Sequence, residues 1–381
     1  RASLQTISSS TRWIGRYFDD RLSHPRSIPI VGTPRARAAA MSGILSRLHR
    51  RFAGPALVRA VAGGGAAQRA LLLYSTRAFL PVSERVSHQN VAQQRELART
   101  LGELGFEVDV ADYDETRRGL LRESYHLVVD LHPVVAPLYH CRLAPGARRI
   151  AYITGSNPEI ANAAELERLD DLARRRGARL RPRRQTRPFP RAVLESFDAV
   201  FLIGGRETLA TYAAFRLPHV HLLPNSGWDE LVPTPPARRD AERFLFLGSA
   251  GQVHKGLDLL LELFAAESGL ELFVCSDFRR ERDFTRAYRR ELFATAGIHP
   301  VGFVDVRGAA FRELQATCAT MLLPSCAEGQ AGTVTLALAF GLPCVVSRAC
   351  GFDDPELVTF PDCTPATLRD VVRRLATRTP E

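Results

Sequence analysis

The stretch Phe244-Leu245-Phe246-Leu247-Gly248-Ser249-Ala250-Gly251-Gln252-Val253-His254-Lys255-Gly256-Leu257-Asp258-Leu259 decides the fold. Its first four residues are apolar and suit a strand buried on both faces. Residues 248–256 form a turn rich in small side chains, and residues 257–264 carry the apolar periodicity of a helix. A strand that passes through such a turn into a helix start presents backbone N–H groups to an anion. The turn is neither the G-x-x-x-x-G-K-[ST] phosphate loop nor the G-x-G-x-x-G dinucleotide fingerprint. Lys255 is the only lysine in a chain with 51 lysines and arginines together. Arginine dominates as it does in a G+C-biased coding sequence, so a surviving lysine points to a place for a compact point charge on a flexible stem. A chance survivor on a solvated helix face is the alternative.

The same rhythm extends in both directions. Downstream, residues 270–275, 300–304, 320–323 and 343–347 read as short apolar strands, separated by helices at 284–295, 309–316 and 333–340, with a further helix at 366–375. Upstream, strands are expected at 70–74, 106–110, 125–131, 149–153 and 199–203, with a helix at 90–104 that ends at Gly105. Pro224, Pro233, Pro235, Pro236 and Gly227 mark a linker between the two series. The fold class is therefore α/β, with two Rossmann-like doubly wound parallel-sheet domains facing across a cleft. The expected division is a leader at 1–66, a first domain at 67–224, a linker at 225–242 and a second domain at 243–381.

At 381 residues, 45% apolar and 24% charged, the chain has the composition of a soluble protein with two ordinary domains. No apolar run approaches the roughly 20 residues needed to cross a bilayer. Seven scattered cysteines, with no C-x-x-C pair, suit buried thiols in a reducing compartment better than disulfides or a zinc site. The chain opens on Arg1, and residues 1–40 mix Ser, Arg, Pro and Trp without a period or a secretory apolar core, which makes Met41 a plausible start. Ile44, Leu45, Leu48 and Phe52, interleaved with Arg47, Arg50 and Arg51, form a basic amphipathic pattern. Such a helix lies on an anionic membrane or packs on its own domain. The net charge of +10 includes the runs 174–176 and 181–187, read as a solvated face or exposed loop before attraction to a membrane or an acidic acceptor. They lack interleaved aromatics and a nucleic-acid module, so no nucleic-acid partner is expected.

A second chemical feature is Pro324-Ser325-Cys326-Ala327-Glu328-Gly329-Gln330-Ala331-Gly332-Thr333, again a strand end running into a helix start. Glu328 precedes that helix, where a carboxylate accepts sugar hydroxyls or merely caps the helix. The free N–H groups near Gly332 and Thr333 face outward for a phosphate. In the first half, His88 and Asn90 open a helix, and Thr154, Ser156 and Asn157 follow a strand end. These five are candidates for the acceptor side of the cleft, with a helix cap and a turn as the plain alternatives. The pairs Asp170-Asp171 and Asp353-Asp354 are read as a helix face and a loop, not as a metal motif, and no metal ligand is assigned.

The segment 244–354 resembles the donor-binding domain of GT-B glycosyltransferases of the retaining group that includes glycogen synthase-like and mannosyltransferase-like enzymes. The resemblance rests on four signatures in order: Gly248-Ser249 with His254-Lys255-Gly256-Leu257-Asp258; Gly302-Phe303-Val304-Asp305; Pro324-Ser325 with Glu328-Gly329; and Gly341-Leu342-Pro343 with Val345-Val346-Ser347. A weaker likeness to the acceptor domain lies in residues 87–90, 105–110 and 152–157.

The resemblance implies transfer of a sugar from a nucleotide-diphosphate sugar, as co-substrate, to a glycan or lipid-linked acceptor with retention. It implies no cofactor or metal, and a cytoplasmic protein, in part peripheral on the inner face of the membrane, serving cell-envelope polysaccharide synthesis. Lys255 would hold the diphosphate and Glu328 the hydroxyls of the transferred sugar, making these the catalytic pair. Gly248, Ser249, His254, Phe303, Val304, Gly329, Gln330, Gly332 and Thr333 would complete the donor site. Two departures stand out. Ser249 occupies a place where the family often has a basic residue, and Leu336 occupies the place of a second, ribose-binding glutamate. Loss of such charge-assisted bonds is worth ~1.5–3 kcal/mol, or roughly ten- to a hundredfold in affinity. A non-catalytic GT-B scaffold that binds a nucleotide sugar or a partner protein is accordingly the second reading.

Overall fold

The computed structural model describes residues 55–80, 89–113, 121–131, 133, 139, 142–226 and 239–377. The amphipathic pattern at 44–52, His88 and most of the 225–242 linker lie outside the described residues, as does the side chain of Asn90.

Two sheets organise the chain. The first lobe contains β1 (Leu57–Ala62), β2 (Gln68–Tyr74), α1 (Gln89–Glu103), β3 (Phe106–Asp112), β4 (Tyr125–Asp130) and β5 (Leu143–Ile153). It continues with α2 (Pro158–Arg176), α3 (Arg191–Leu194), β6 (Ala199–Ile203), α4 (Arg206–Ala210) and β7 (Val220–Leu223). Its seven strands run in the order β1-β3-β2-β4-β5-β6-β7. All neighbours are parallel except β1, which pairs antiparallel with β3. A strand thus forms at residues 57–62, inside the stretch expected to be leader.

The second lobe contains β8 (Asp240–Leu247), α5 (Leu257–Ala266), β9 (Glu271–Cys275), α6 (Arg282–Ala287), α7 (Arg289–Ala294), β10 (Ile298–His299) and α8 (Ala309–Thr317). It ends with β11 (Cys318–Leu323), α9 (Gly332–Ala339), β12 (Cys344–Ser347), β13 (Val358–Phe360) and α10 (Pro365–Ala376). Its strand order, β10-β9-β8-β11-β12-β13, is wholly parallel and reverses direction between β8 and β11. Phe244, Leu245 and Phe246 are fully buried, as a strand covered on both faces requires. In an open sheet of this kind ligands bind beyond the carboxyl ends of the strands at the switch point. Here that place is the end of β8 and the end of β11.

Two expectations need correction. Residues 284–295 are two short helices that break at Tyr288 (φ −110°, ψ 26°), where the preceding Ala287 carbonyl accepts from the Arg176 guanidinium instead of from the helical ladder. The strand expected at 300–304 ends at His299, because Pro300 has no N–H to give and Gly302 turns the chain with φ +87°.

Helix α2 joins the lobes. Asn157 caps it by accepting from the Glu159 N–H at 3.0 Å, Pro158 occupies its first turn, and Gly177 closes it in the left-handed region. Its buried residues Leu169 and Leu172 belong to the core of the second lobe. The basic run at its end is therefore not a solvated face throughout. Arg175 reaches Asp258 at 2.8 Å and also pairs with Glu262, while Arg176 binds Glu291 at 2.8 Å and lies over the Tyr288 ring at 4.1 Å. Only Arg174 of the three points mainly to solvent, beside Asp171.

Candidate active site

A cavity of about 750 Å³ lies between the carboxyl ends of the two sheets. That size suits a small-molecule ligand. The second lobe supplies Gly248, Ser249 and Ala250 after β8, Ser276 and Asp277 after β9, Phe303, Val304 and Val306 after β10, and Glu328 to Gln330 after β11. Gly332, Thr333 and Leu336 come from α9. The first lobe supplies Thr154 after β5, Ile203 of β6 and Asn225 after β7.

Lys255 Nζ donates to Glu328 Oε1 at 2.5 Å, with both side chains at least nine-tenths buried. The pair is assembled by the loops on either side. Gly256 has φ +77°, and a Cβ there would meet the Pro324 carbonyl at 2.5 Å, so only glycine lets the two loops approach. The His254 carbonyl accepts from the Cys326 N–H at 2.8 Å and from the Ser325 hydroxyl at 3.2 Å, and the His254 ring donates Nε2–H to the Ala327 carbonyl at 2.6 Å. Ser325 also donates to Glu328 at 2.8 Å.

The charge states follow from these contacts. Burial pushes the Glu328 carboxyl up, but Lys255, His254 and Arg184, with the Lys255 hydrogen bond, outweigh it and hold the group at about 2. Burial pushes the His254 imidazole below its ordinary value, and Lys255 and Arg184 add to this against Glu328 and the bond to Ala327. His254, expected among the donor contacts, is 3% exposed and stands behind the residues that line the cavity.

The N-terminal turn of α9 lines the same cavity as the pair. Thr333 lines the cavity, and its buried hydroxyl has no hydrogen-bond partner among the described residues. The N–H groups of Gly332 and Thr333 precede the helix's own ladder and point out of its end. Phe303, 70% exposed, projects at the rim, and Val304 lies on the wall. No group of three or more His, Cys, Asp or Glu side chains that would hold a metal ion occurs among the described residues.

On the first-lobe side the assignments divide. Thr154 borders the cavity. The Ser156 hydroxyl instead donates to the Glu328 carbonyl, and Asn157 is buried as the cap of α2, with Nδ2 donating to the Thr211 carbonyl at 3.0 Å. Ser156 thus holds the opposite lobe and Asn157 the start of α2. Thr208 donates to the Gly329 carbonyl at 2.6 Å, Asn225 Nδ2 donates to the Gln330 carbonyl at 2.6 Å, and Gln93 donates to Asn225 at 2.6 Å. The glutamate loop is therefore held from both lobes. The sequence reading missed Gln93, Arg184, Asn225, Asp277 and Arg280. Asp277 and Asn225 follow strand ends and were accessible to that rule, whereas Gln93 and the two arginines carry no local signal.

Residues 241–377 match the family described as glycosyl transferases group 1. They form a glycosyl transferases group 1 domain. The group 1 domain thus contains Lys255, Glu328 and the α9 terminus. Around it, the chain is similar to sucrose-phosphate synthase from Thermosynechococcus elongatus, at 13% identity over 81% of this chain and 90% of that one, with a TM-score of 0.56. It is similar also to HepE from Anabaena in complex with UDP and glucose, at 13% identity over 82% of this chain and 90% of that one, with a TM-score of 0.53. These likenesses show the fold, which is GT-B with two Rossmann-like domains. The chain spans 47% of the TarM chain that it also matches, at 10% identity over 66% of this chain and a TM-score of 0.48. No curated protein matches the sequence.

Proposed function

We propose that the protein is a glycosyltransferase that moves a sugar from a nucleotide-diphosphate sugar to a glycan or lipid-linked acceptor, with retention at the anomeric carbon. The observation that carries this reading is the buried Lys255–Glu328 pair beside the open N-terminus of α9 in a cavity between two lobes. The bond from the anomeric carbon to the diphosphate breaks as an acceptor hydroxyl oxygen bonds to that carbon and gives its proton to the departing diphosphate, which gathers negative charge as it leaves. Lys255, Gly332 and Thr333 line the same cavity, and the Lys255 ammonium with the two N–H groups stabilises that charge. We assign the charge neutralisation to these groups rather than to a resident metal ion. Glu328, kept ionised by its neighbours, retains a second oxygen to accept hydroxyls of the transferred sugar. Contacts of Thr208 and Asn225 hold the glutamate loop against the first lobe. The acceptor approaches from the first lobe near Thr154. A cytoplasmic site of action, with peripheral membrane contact through basic surfaces, fits a lipid-linked acceptor.

One observation favours a second reading. Leu336 stands on the cavity wall and is 4% exposed, so this part of the site offers a nucleotide ribose no carboxylate. A scaffold that binds a nucleotide sugar without turning it over would tolerate that loss. Turnover assays with a panel of nucleotide sugars and acceptors separate the two. HepE is described with UDP and glucose, which makes UDP-glucose the first donor to try. The transferase reading expects turnover that falls by about a hundred- to a thousandfold in Lys255→Ala. Tight binding of the donor nucleotide with no turnover for any acceptor supports the scaffold instead.

A further inference from the structure

Five charged residues line the cavity among the described residues: Arg184, Lys255, Asp277, Arg280 and Glu328. Two pairs cancel within the wall. Lys255 is bonded to Glu328 at 2.5 Å, and Arg280 Nε lies 2.6 Å from Asp277 Oδ2. Arg184 is left over. Its guanidinium makes no hydrogen bond or ion pair among the described residues, so the one uncompensated charge on the wall belongs to a residue outside the group 1 domain.

The side chain is nevertheless held in place. Two separate carboxylate oxygens of Glu165, itself 2% exposed, accept from the Arg184 backbone N–H, both at 3.0 Å, and one of them also accepts from the Arg183 N–H at 2.8 Å. On the other side, the Arg184 stem lies over Gly251, where a Cβ would meet Arg184 Cγ at 2.5 Å and Cδ at 3.0 Å. Gly251 belongs to the small-residue turn that begins the anion-presenting loop. The segment is fixed further along by Arg183, which pairs with Asp283 of the second lobe. A backbone clamped at one end and a stem laid on a glycine leave the planar fork at the cavity wall, near enough to lower the Glu328 carboxyl.

We propose that Arg184 is a diphosphate-binding residue of the donor site, supplied by the strap that follows α2, and that it adds net positive charge beside Lys255, whose own charge is offset in part by Glu328. This rests on the donor-site reading given above. A nucleoside diphosphate brings two or more negative charges into a wall whose other ions are paired, and a guanidinium offers two parallel N–H bonds to phosphate oxygens. Because the strap runs between lobes, diphosphate binding then ties the first half of the chain to the group 1 domain.

Isothermal titration of UDP, GDP, ADP and uridine into the unsubstituted protein, Arg184→Gln, Arg184→Lys and Lys255→Ala tests this. Glutamine keeps the stem over Gly251 as far as Cδ and removes only the fork. We expect the best-bound nucleoside diphosphate to lose about ten- to a hundredfold in affinity in Arg184→Gln and less in Arg184→Lys, with uridine unchanged. The loss is expected to shrink as salt rises, since the group is solvent-exposed, and the thermal midpoint to stay where it was. Diphosphate affinity that is unaltered in Arg184→Gln but reduced in Lys255→Ala overturns the role of Arg184 alone. An equal loss for uridine and for the diphosphate overturns it too, by making the residue structural. Absence of binding of every diphosphate to the unsubstituted protein overturns the donor-site reading and this proposal with it.

Discussion

Lys255 and Glu328 each make sense only through the other. A buried carboxylate alone would be driven toward its neutral form, whereas the 2.5 Å contact with Lys255 keeps Glu328 charged. The pH dependence follows in sign. The Glu328 carboxyl is at about 2 in the folded protein against an ordinary 4.5, so the folded state binds fewer protons than the unfolded chain between those values. Its contribution to stability is full above pH 4.5 and is lost as pH falls toward 2. We expect the stability difference between the unsubstituted protein and Glu328→Gln, measured by urea unfolding, to shrink by on the order of 3 kcal/mol across that window. A difference independent of pH would contradict the pairing. The lone lysine was legible in the sequence because every neighbouring choice of basic residue had gone to arginine. The pairing itself was not legible, since 73 residues separate the partners.

At the scale of elements, the short strands and the helix starts were legible because apolar runs bounded by glycine and proline leave few alternatives. The failures share one cause, which is a distant residue acting on local structure. Arg176 takes the Ala287 carbonyl from across the lobe boundary at the break in a helix that its own periodicity describes as continuous. Asn157 follows a strand end, and the side chain that this place offers is taken up in capping α2. Where local geometry is decisive, single residues control the loops. Gly256→Ala places a methyl 2.5 Å from the Pro324 carbonyl on a residue at φ +77°. We expect it to cost about 1–3 kcal/mol in chemical denaturation and to lower turnover further by separating Lys255 from Glu328. An alanine variant as stable and active as the parent would mean that the two loops are not locked together there.

Across the whole molecule, α2 acts as a strut whose origin is in the first lobe and whose buried face is in the second. Asp258 is fully buried beside Arg175. Burial raises its carboxyl to about 6 even though Arg168 and Arg175 oppose this. A raised carboxyl contributes stability that is present below its ordinary 3.8 and lost as pH climbs through the folded value. Removing the guanidinium enlarges that loss. We expect Arg175→Ala to destabilise by about 3 kcal/mol at pH 8 and by clearly less at pH 5, where Asp258 protonates. Equal losses at both pH values would show that the pair does not hold the lobes.

The most direct measurement is a crystal structure of the protein with the nucleoside diphosphate that it binds best in titration. The diphosphate is expected within hydrogen-bonding distance of Lys255 Nζ and of the Gly332 and Thr333 N–H groups. A nucleotide bound elsewhere, with Lys255 and the α9 terminus untouched, would contradict the assignment of this cleft as a donor site.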